Sequence, residues 1–182
     1  RLPRELYPFV EAQMLRNEDA SLRIQASSFF EGKDATGRFS IPGITKLSMN
    51  AVAGEGIFEK HCASCHRMKD RGASIGPDLT SIKGKFDREA LLDAIINPDA
   101  GIVFGYEAWT INMADGQSFF GFLIADGRQT ITVKDLTGKN HVIETAGIRL
   151  RKKQEGSLMP SAESLGLSEQ ELADVSEYLM RH

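Results

Sequence analysis

The sequence has no apolar run approaching the ~20 residues that a membrane-spanning helix requires, so no span is expected in this chain. It also lacks a basic excess. A formal net charge of −3 and a pI near 5.8 argue against a general nucleic-acid binder. Cysteine is scarce, with two in 182 residues. A chain of this length buries roughly 70% of its extended surface on folding and needs no disulfide support. An initiator methionine and an apolar signal segment are missing from the opening Arg1-Leu2-Pro3, which reads as the start of a mature or excised portion of something longer. What is present is ordinary for a globular chain: 41% hydrophobic and 26% charged residues, enough for one good core and a small second one.

The two cysteines stand together as Cys62-Ala63-Ser64-Cys65-His66. Two thiols three residues apart, at the end of a helical turn, can each add to one vinyl group of a haem, and the adjacent imidazole then falls under the iron. A dithiol redox pair would use the same spacing without needing the histidine and would follow the first strand of a βαβ pattern, which is not evident here. A zinc site would need four ligands, and there is no second cysteine pair or HxxxH. Haem attachment is therefore the expected chemistry of the motif.

The run from Gly54 through Cys62-Ala63-Ser64-Cys65-His66, followed by Gly76-Pro77-Asp78-Leu79 and by Ser157-Leu158-Met159-Pro160, resembles a class I cytochrome c. More narrowly it resembles the haem-binding domain of planctomycete and verrucomicrobial type, met at the C-terminal end of large dehydrogenase-like proteins. The resemblance runs from about Gly54 to Met180. It implies that Cys62 and Cys65 hold one covalent haem c, that His66 is the proximal iron ligand, that the Pro77 carbonyl receives the His66 ring N–H, and that Leu79 packs on the haem face. Such a bond behind the ligand fixes the ring and raises its basicity.

The family's sixth ligand is a methionine, and six methionines and three further histidines compete for that place. Met68 and His61 lie too close to the motif to reach the opposite face of a porphyrin. Met180 falls in a terminal helix, Met113 in a strand pattern, and Met14 and Met49 precede the motif helix, so their simplest role is packing. His141 borders a turn and His182 is the last residue. Met159 follows Gly156 in a loop, is stiffened by Pro160 and precedes the last helix, as the family's ligand does, and it is the expected partner of His66 on the iron.

The chain around these residues reads as a mainly α cytochrome c fold with an inserted antiparallel β meander, α+β overall. A helix over Ala51 to His61 delivers Cys62. Asp87 caps a second helix that runs to Ile96 and is stopped by Asn97-Pro98. Ser168-Glu169-Gln170-Glu171 is a capping box for the last helix, with Leu167 and Leu172 placed as a staple. Gly54 or Gly56 against Tyr178 would let the first and last helices cross. Between about 106 and 150 the period changes to two. Trp109, Ile111 and Met113 alternate before Asp115-Gly116, and Phe120, Phe122 and Ile124 before Asp126-Gly127, which are hairpin signals. A four- or five-stranded meander ending at Ile148 and Leu150 is expected, with Phe119, Phe120 and Phe122 in its core. It faintly resembles a small SH3-like or Sm-like barrel. The basic cluster from Arg149 to Lys153 reads as a solvated strand end.

Residues 1–50 read as a helical N-terminal extension resembling the tail of a helical repeat array, and 51–182 as the haem domain. Leu6, Val10 and Met14, then Leu22, Ala26 and Phe29, recur at helical spacing. The segment 60–88 is net +4 within a chain of −3, which suits docking to a redox partner. The resemblance implies electron transfer without substrate turnover, from a dehydrogenase donor to a cytochrome acceptor. Thioether attachment implies a periplasmic or otherwise exported location. The competing reading is a haem enzyme or gas sensor whose sixth iron position is open or labile.

Overall fold

The computed structural model describes residues 38–181 together with Val10, Gln13 and Met14. The helices expected before residue 38 and the C-terminal His182 lie outside the described residues. The described residues form two compact units: one takes in those up to His61, Thr80–Gly101 and those from Met159 on, the other Cys62–Leu79 and Ile102–Leu158.

The first unit is helical. After a single turn α1 (Ile41–Ile44), the helix α2 (Ala51–His61) starts at Asn50, whose side-chain oxygen accepts from the N–H groups of Val52 (3.0 Å) and Ala53 (3.2 Å). A 3₁₀ turn (Ile82–Gly84) leads to α3 (Arg88–Ile96), capped by Asp87, whose carboxylate accepts from Ala90 N at 2.8 Å. Leu91, Leu92, Ile95 and Ile96 are all buried, the stripe their spacing dictates. The last helix α4 (Glu169–Arg181) buries Leu172, Val175 and Leu179, and Leu167 is buried just ahead of it.

Helices α2 and α4 pack on each other at Gly54. A Cβ there would fall on the Asp174 carbonyl and within 3.0 Å of Tyr178 Cβ, whereas one at Gly56 would meet nothing within 4 Å. Only Gly54 makes the close approach, and the Phe58 and Tyr178 rings meet beside it at 5.5 Å between centroids. Asp174 also accepts from Asn50 N at 2.8 Å, so the buried face of α4 helps to satisfy the free donors at the start of α2. The helix turns Gly54 and Phe58 inward and leaves Val52 78% exposed.

The capping box is closed in both directions: Ser168 N donates to Glu171 Oε2 (2.9 Å) and Glu171 N donates to Ser168 Oγ (3.2 Å). Bonds from the Ser168 backbone and then its hydroxyl, with the nearby Lys60 and His61 charges adding to them, hold the Glu171 carboxyl below the usual glutamate range. A depressed folded-state pKa contributes stability above the unfolded value, which is lost as pH falls through the folded one. Ser168→Ala should therefore cost about 1 kcal/mol at neutral pH in urea unfolding. The gap between Glu171→Gln and its parent should close as the pH is taken below the glutamate range.

The second unit holds a five-stranded antiparallel sheet: β1 (Ala108–Met113), β2 (Ser118–Asp126), β3 (Thr130–Lys134), β4 (Asn140–Glu144) and β5 (Ile148–Lys153), in the order β4-β3-β2-β1-β5. The first four strands form a meander. The fifth leaves it, returning after a 3₁₀ turn (Thr145–Gly147) to pair with the outer edge of β1. Ile111, Ile131, Val133 and Ile143 form the buried cluster, with Trp109, Met113, Phe119, Leu123 and Ile148 packed against it.

The expected parity of β2 is corrected. Ile111 faces Phe119, and Leu123 faces Val133, so Phe119 and Leu123 lie on the cluster side while Phe120 and Ile124 are exposed at 41% and 44%. Phe122 is buried on the opposite face, its ring 5.4 Å from that of Tyr106. Phe120 is thus no core residue. At the β5 edge Arg151 donates to Asp126 (2.9 Å) and lies over the Trp109 ring, and Lys153 pairs with Glu107 (3.3 Å), leaving a charged and exposed border. Charge at a sheet edge discourages further strands from adding to it.

Candidate haem attachment site

Helix α2 ends at His61 and the chain continues in a further turn in which Cys65 N (3.1 Å) and His66 N (2.9 Å) both donate to Cys62 O. This turn sets the two sulfurs and the imidazole one after another. Both cysteines are free thiols, Cys62 half-buried and Cys65 exposed. Burial, with a smaller contribution from Cys65, pushes the Cys62 thiol up to about 11, so it is protonated at neutral pH.

Beyond His66 the chain reverses. Met68 and Arg71 exchange both backbone hydrogen bonds (2.8 and 3.1 Å) across a turn in which Lys69 has φ 54°. Gly72 follows at φ 84°, where a Cβ would strike the His66 carbonyl. The returning strand of chain is then tied to the motif: Ala73 N donates to Ala63 O (2.8 Å), Ile75 N (3.1 Å) and Gly76 N (2.8 Å) to Cys65 O, and Leu79 N to Arg67 O (2.8 Å). These bonds fold 73–79 over 62–67.

Pro77 O lies 2.8 Å from His66 Nδ1. A carbonyl can only accept, so Nδ1 carries a proton, and in the neutral ring this leaves the lone pair on Nε2. Gly76 lies flush against the imidazole, where a Cβ would come within 2.9 Å of Cε1 and 3.1 Å of Nδ1. Any larger residue would displace the ring. Sequence reasoning placed Gly76 in the motif but gave it no role. Its signal was its position directly ahead of the proline whose carbonyl binds the ring.

This donor set suits a covalent haem. Two free thiols and a half-buried imidazole anchored through Nδ1 are the groups that attachment and proximal ligation use. Among the described residues no three His, Cys, Asp or Glu side chains cluster as a metal-ion site. Residues 51–120 match the family model of cytochrome c. Over this segment the chain is similar to cytochrome c, which supports a haem-binding, electron-transfer reading. The match ends at Phe120, before Met159. No curated protein matches the chain. Among the described residues no helix is long and apolar enough to cross a membrane.

The remaining predicted site residues are placed as follows. Leu79 is half-buried at the end of the returning segment, and Met159 is half-buried where the chain enters the helical unit. Gly156 ahead of it has φ 81°, a left-handed turn that suits glycine. Met68 is buried at 1% exposure and Met113 packs on the sheet cluster, in keeping with packing roles for both.

Proposed function

We propose that the chain is an electron-transfer module holding one covalent haem on Cys62 and Cys65, with His66 and Met159 as axial ligands. The observation that carries this reading is the 2.8 Å bond that pins the His66 tautomer beside two free thiols. Bound haem supplies a one-electron Fe(III)/Fe(II) couple. Each thiol adds across one vinyl group, its sulfur bonding to one carbon and its hydrogen going to the other, so neither oxidant nor leaving group is needed. His66 Nε2 would hold the iron, while Pro77 O accepts from the far N–H of the same ring and Gly76 leaves that ring room to sit. Leu79 would cover the haem face and help to exclude water. Met159 sulfur would be the second side chain to hold the iron, and an iron so held would favour electron transfer over catalysis.

The partners are a dehydrogenase donor and a cytochrome acceptor, met through the +4 segment 60–88. Attachment of this kind places the protein in the periplasm or another exported compartment. The test is the intact mass of protein produced with a cytochrome c maturation system. One added haem that survives acid-organic extraction is expected. An unmodified mass with two titratable thiols would refute the reading.

A further inference from the structure

The inserted sheet reaches the haem-binding loop within their shared unit. Lys134, the last residue of β3, donates from Nζ to the Ser74 carbonyl at 3.2 Å. The β3–β4 turn lies against the next residue: a Cβ on Gly138 would be in ordinary contact, 3.7 Å, with Ile75 Cγ1. The turn itself is braced. The Asp135 carboxylate accepts from Thr137 N (2.9 Å), Thr137 Oγ1 (2.6 Å), Lys139 N (3.0 Å) and His141 Nε2 (2.7 Å). These bonds, first among them that of the Thr137 hydroxyl, hold Asp135 far below the usual carboxylate range, so the brace persists across the neutral pH range.

The residues gripped in this way lead directly to the proximal histidine. Ile75 N and Gly76 N both donate to Cys65 O, Gly76 carries the His66 ring, and Pro77 O accepts from His66 Nδ1. We infer that the β3–β4 hairpin is a positioning element for His66, acting through Lys134 and Ile75 on the Ser74–Pro77 segment. This inference rests on the haem reading above. It gives the sheet a part in setting the iron's redox balance. A well-held Nδ1–H···O=C bond makes the imidazole more basic and favours Fe(III). Loosening the segment weakens that bond and favours Fe(II).

The test uses the haem-loaded protein and its Ile75→Ala, Ile75→Val, Lys134→Met and Lys134→Arg variants. At fixed ambient potential, Ile75→Ala is expected to raise the Fe(II)/Fe(III) ratio about threefold, about 30 mV at 59 mV per tenfold change. The hyperfine-shifted His66 ring protons of the ferric protein should move with it, and Ile75→Val should stay with the parent. Lys134→Met should shift the ratio the same way and Lys134→Arg should not. Removal of a positive charge alone would lower the ratio, so the sign separates positioning from charge. Lys134 lies at the surface, which keeps the test open should Ile75→Ala fold poorly. An unchanged ratio and unchanged His66 resonances in Lys134→Met and in folded Ile75→Ala would overturn the inference, as would a fall in Lys134→Met alone. A parent protein with no haem adduct would instead overturn the haem reading on which it stands.

Discussion

Met159→Ala is expected to keep its covalent haem and to gain a binding site for carbon monoxide that the parent lacks. Cys62, Cys65 and His66 are untouched by the change, and the haem adduct should survive extraction as in the parent. On the proposed ligation the change removes the second iron ligand, so the reduced iron should take up carbon monoxide stoichiometrically where the parent takes up almost none. The potential should fall, because a thioether favours ferrous iron. Met113→Ala and Met180→Ala are the controls. Met113 packs on the sheet cluster and Met180 is half-buried on α4, so each substitution should cost about 2 kcal/mol in stability while leaving the visible spectrum of the reduced protein alone. A parent that binds carbon monoxide avidly, or a Met180→Ala variant that gains binding while Met159→Ala does not, would remove Met159 from the iron.

The same substitution made two residues apart on α2 should act in opposite directions. Gly54→Ala places its Cβ against the Asp174 backbone carbonyl, which cannot rotate away as a side chain could, so α2 and α4 must separate. A cost of at least about 2 kcal/mol is expected, seen as a Tm lower by about 4–8 °C. Gly56→Ala meets open space on an exposed helical position and should gain about 0.5–1 kcal/mol through helix propensity. Thermal unfolding of the two variants beside the parent decides the matter. Equal effects would mean that the helix crossing is not limited by Gly54.

That pair also shows where sequence reading stops. Both glycines were legible as candidates for a close helix crossing, but the choice depends on the rotation of α2 against α4, which no local pattern encodes. The helix starts were legible because their physics is local: Asp87 caps within three residues, and Ser168 and Glu171 satisfy each other's donors. The parity of β2 was not. Phe119, Phe120, Phe122, Leu123 and Ile124 are apolar on both faces of the strand, and a register shift between Leu123 and Ala125 breaks the alternation on which the reading relied. The pairing of β5 with β1 is a choice between two distant edges, and a hairpin signal speaks only for neighbours. At the candidate site, the spacing of Cys62-Ala63-Ser64-Cys65-His66 is a local pattern and is legible in the sequence. The seating of the imidazole on Gly76 is a three-dimensional fact and could not.

The hydrogen bond from Lys134 to Ser74 spans 60 residues of sequence and so gives the protein a time order. The cysteines leave the ribosome well before the hairpin that will brace their loop exists. Synthesis of that stretch alone takes roughly 3–12 s at ~5–20 residues per second. During this interval the motif can form only its own local turn, and loop-closure entropy delays the non-local contact further once the hairpin has emerged. Cys62, half-buried once the unit has closed, is therefore most accessible while the chain is young, whereas Cys65 stays exposed afterwards.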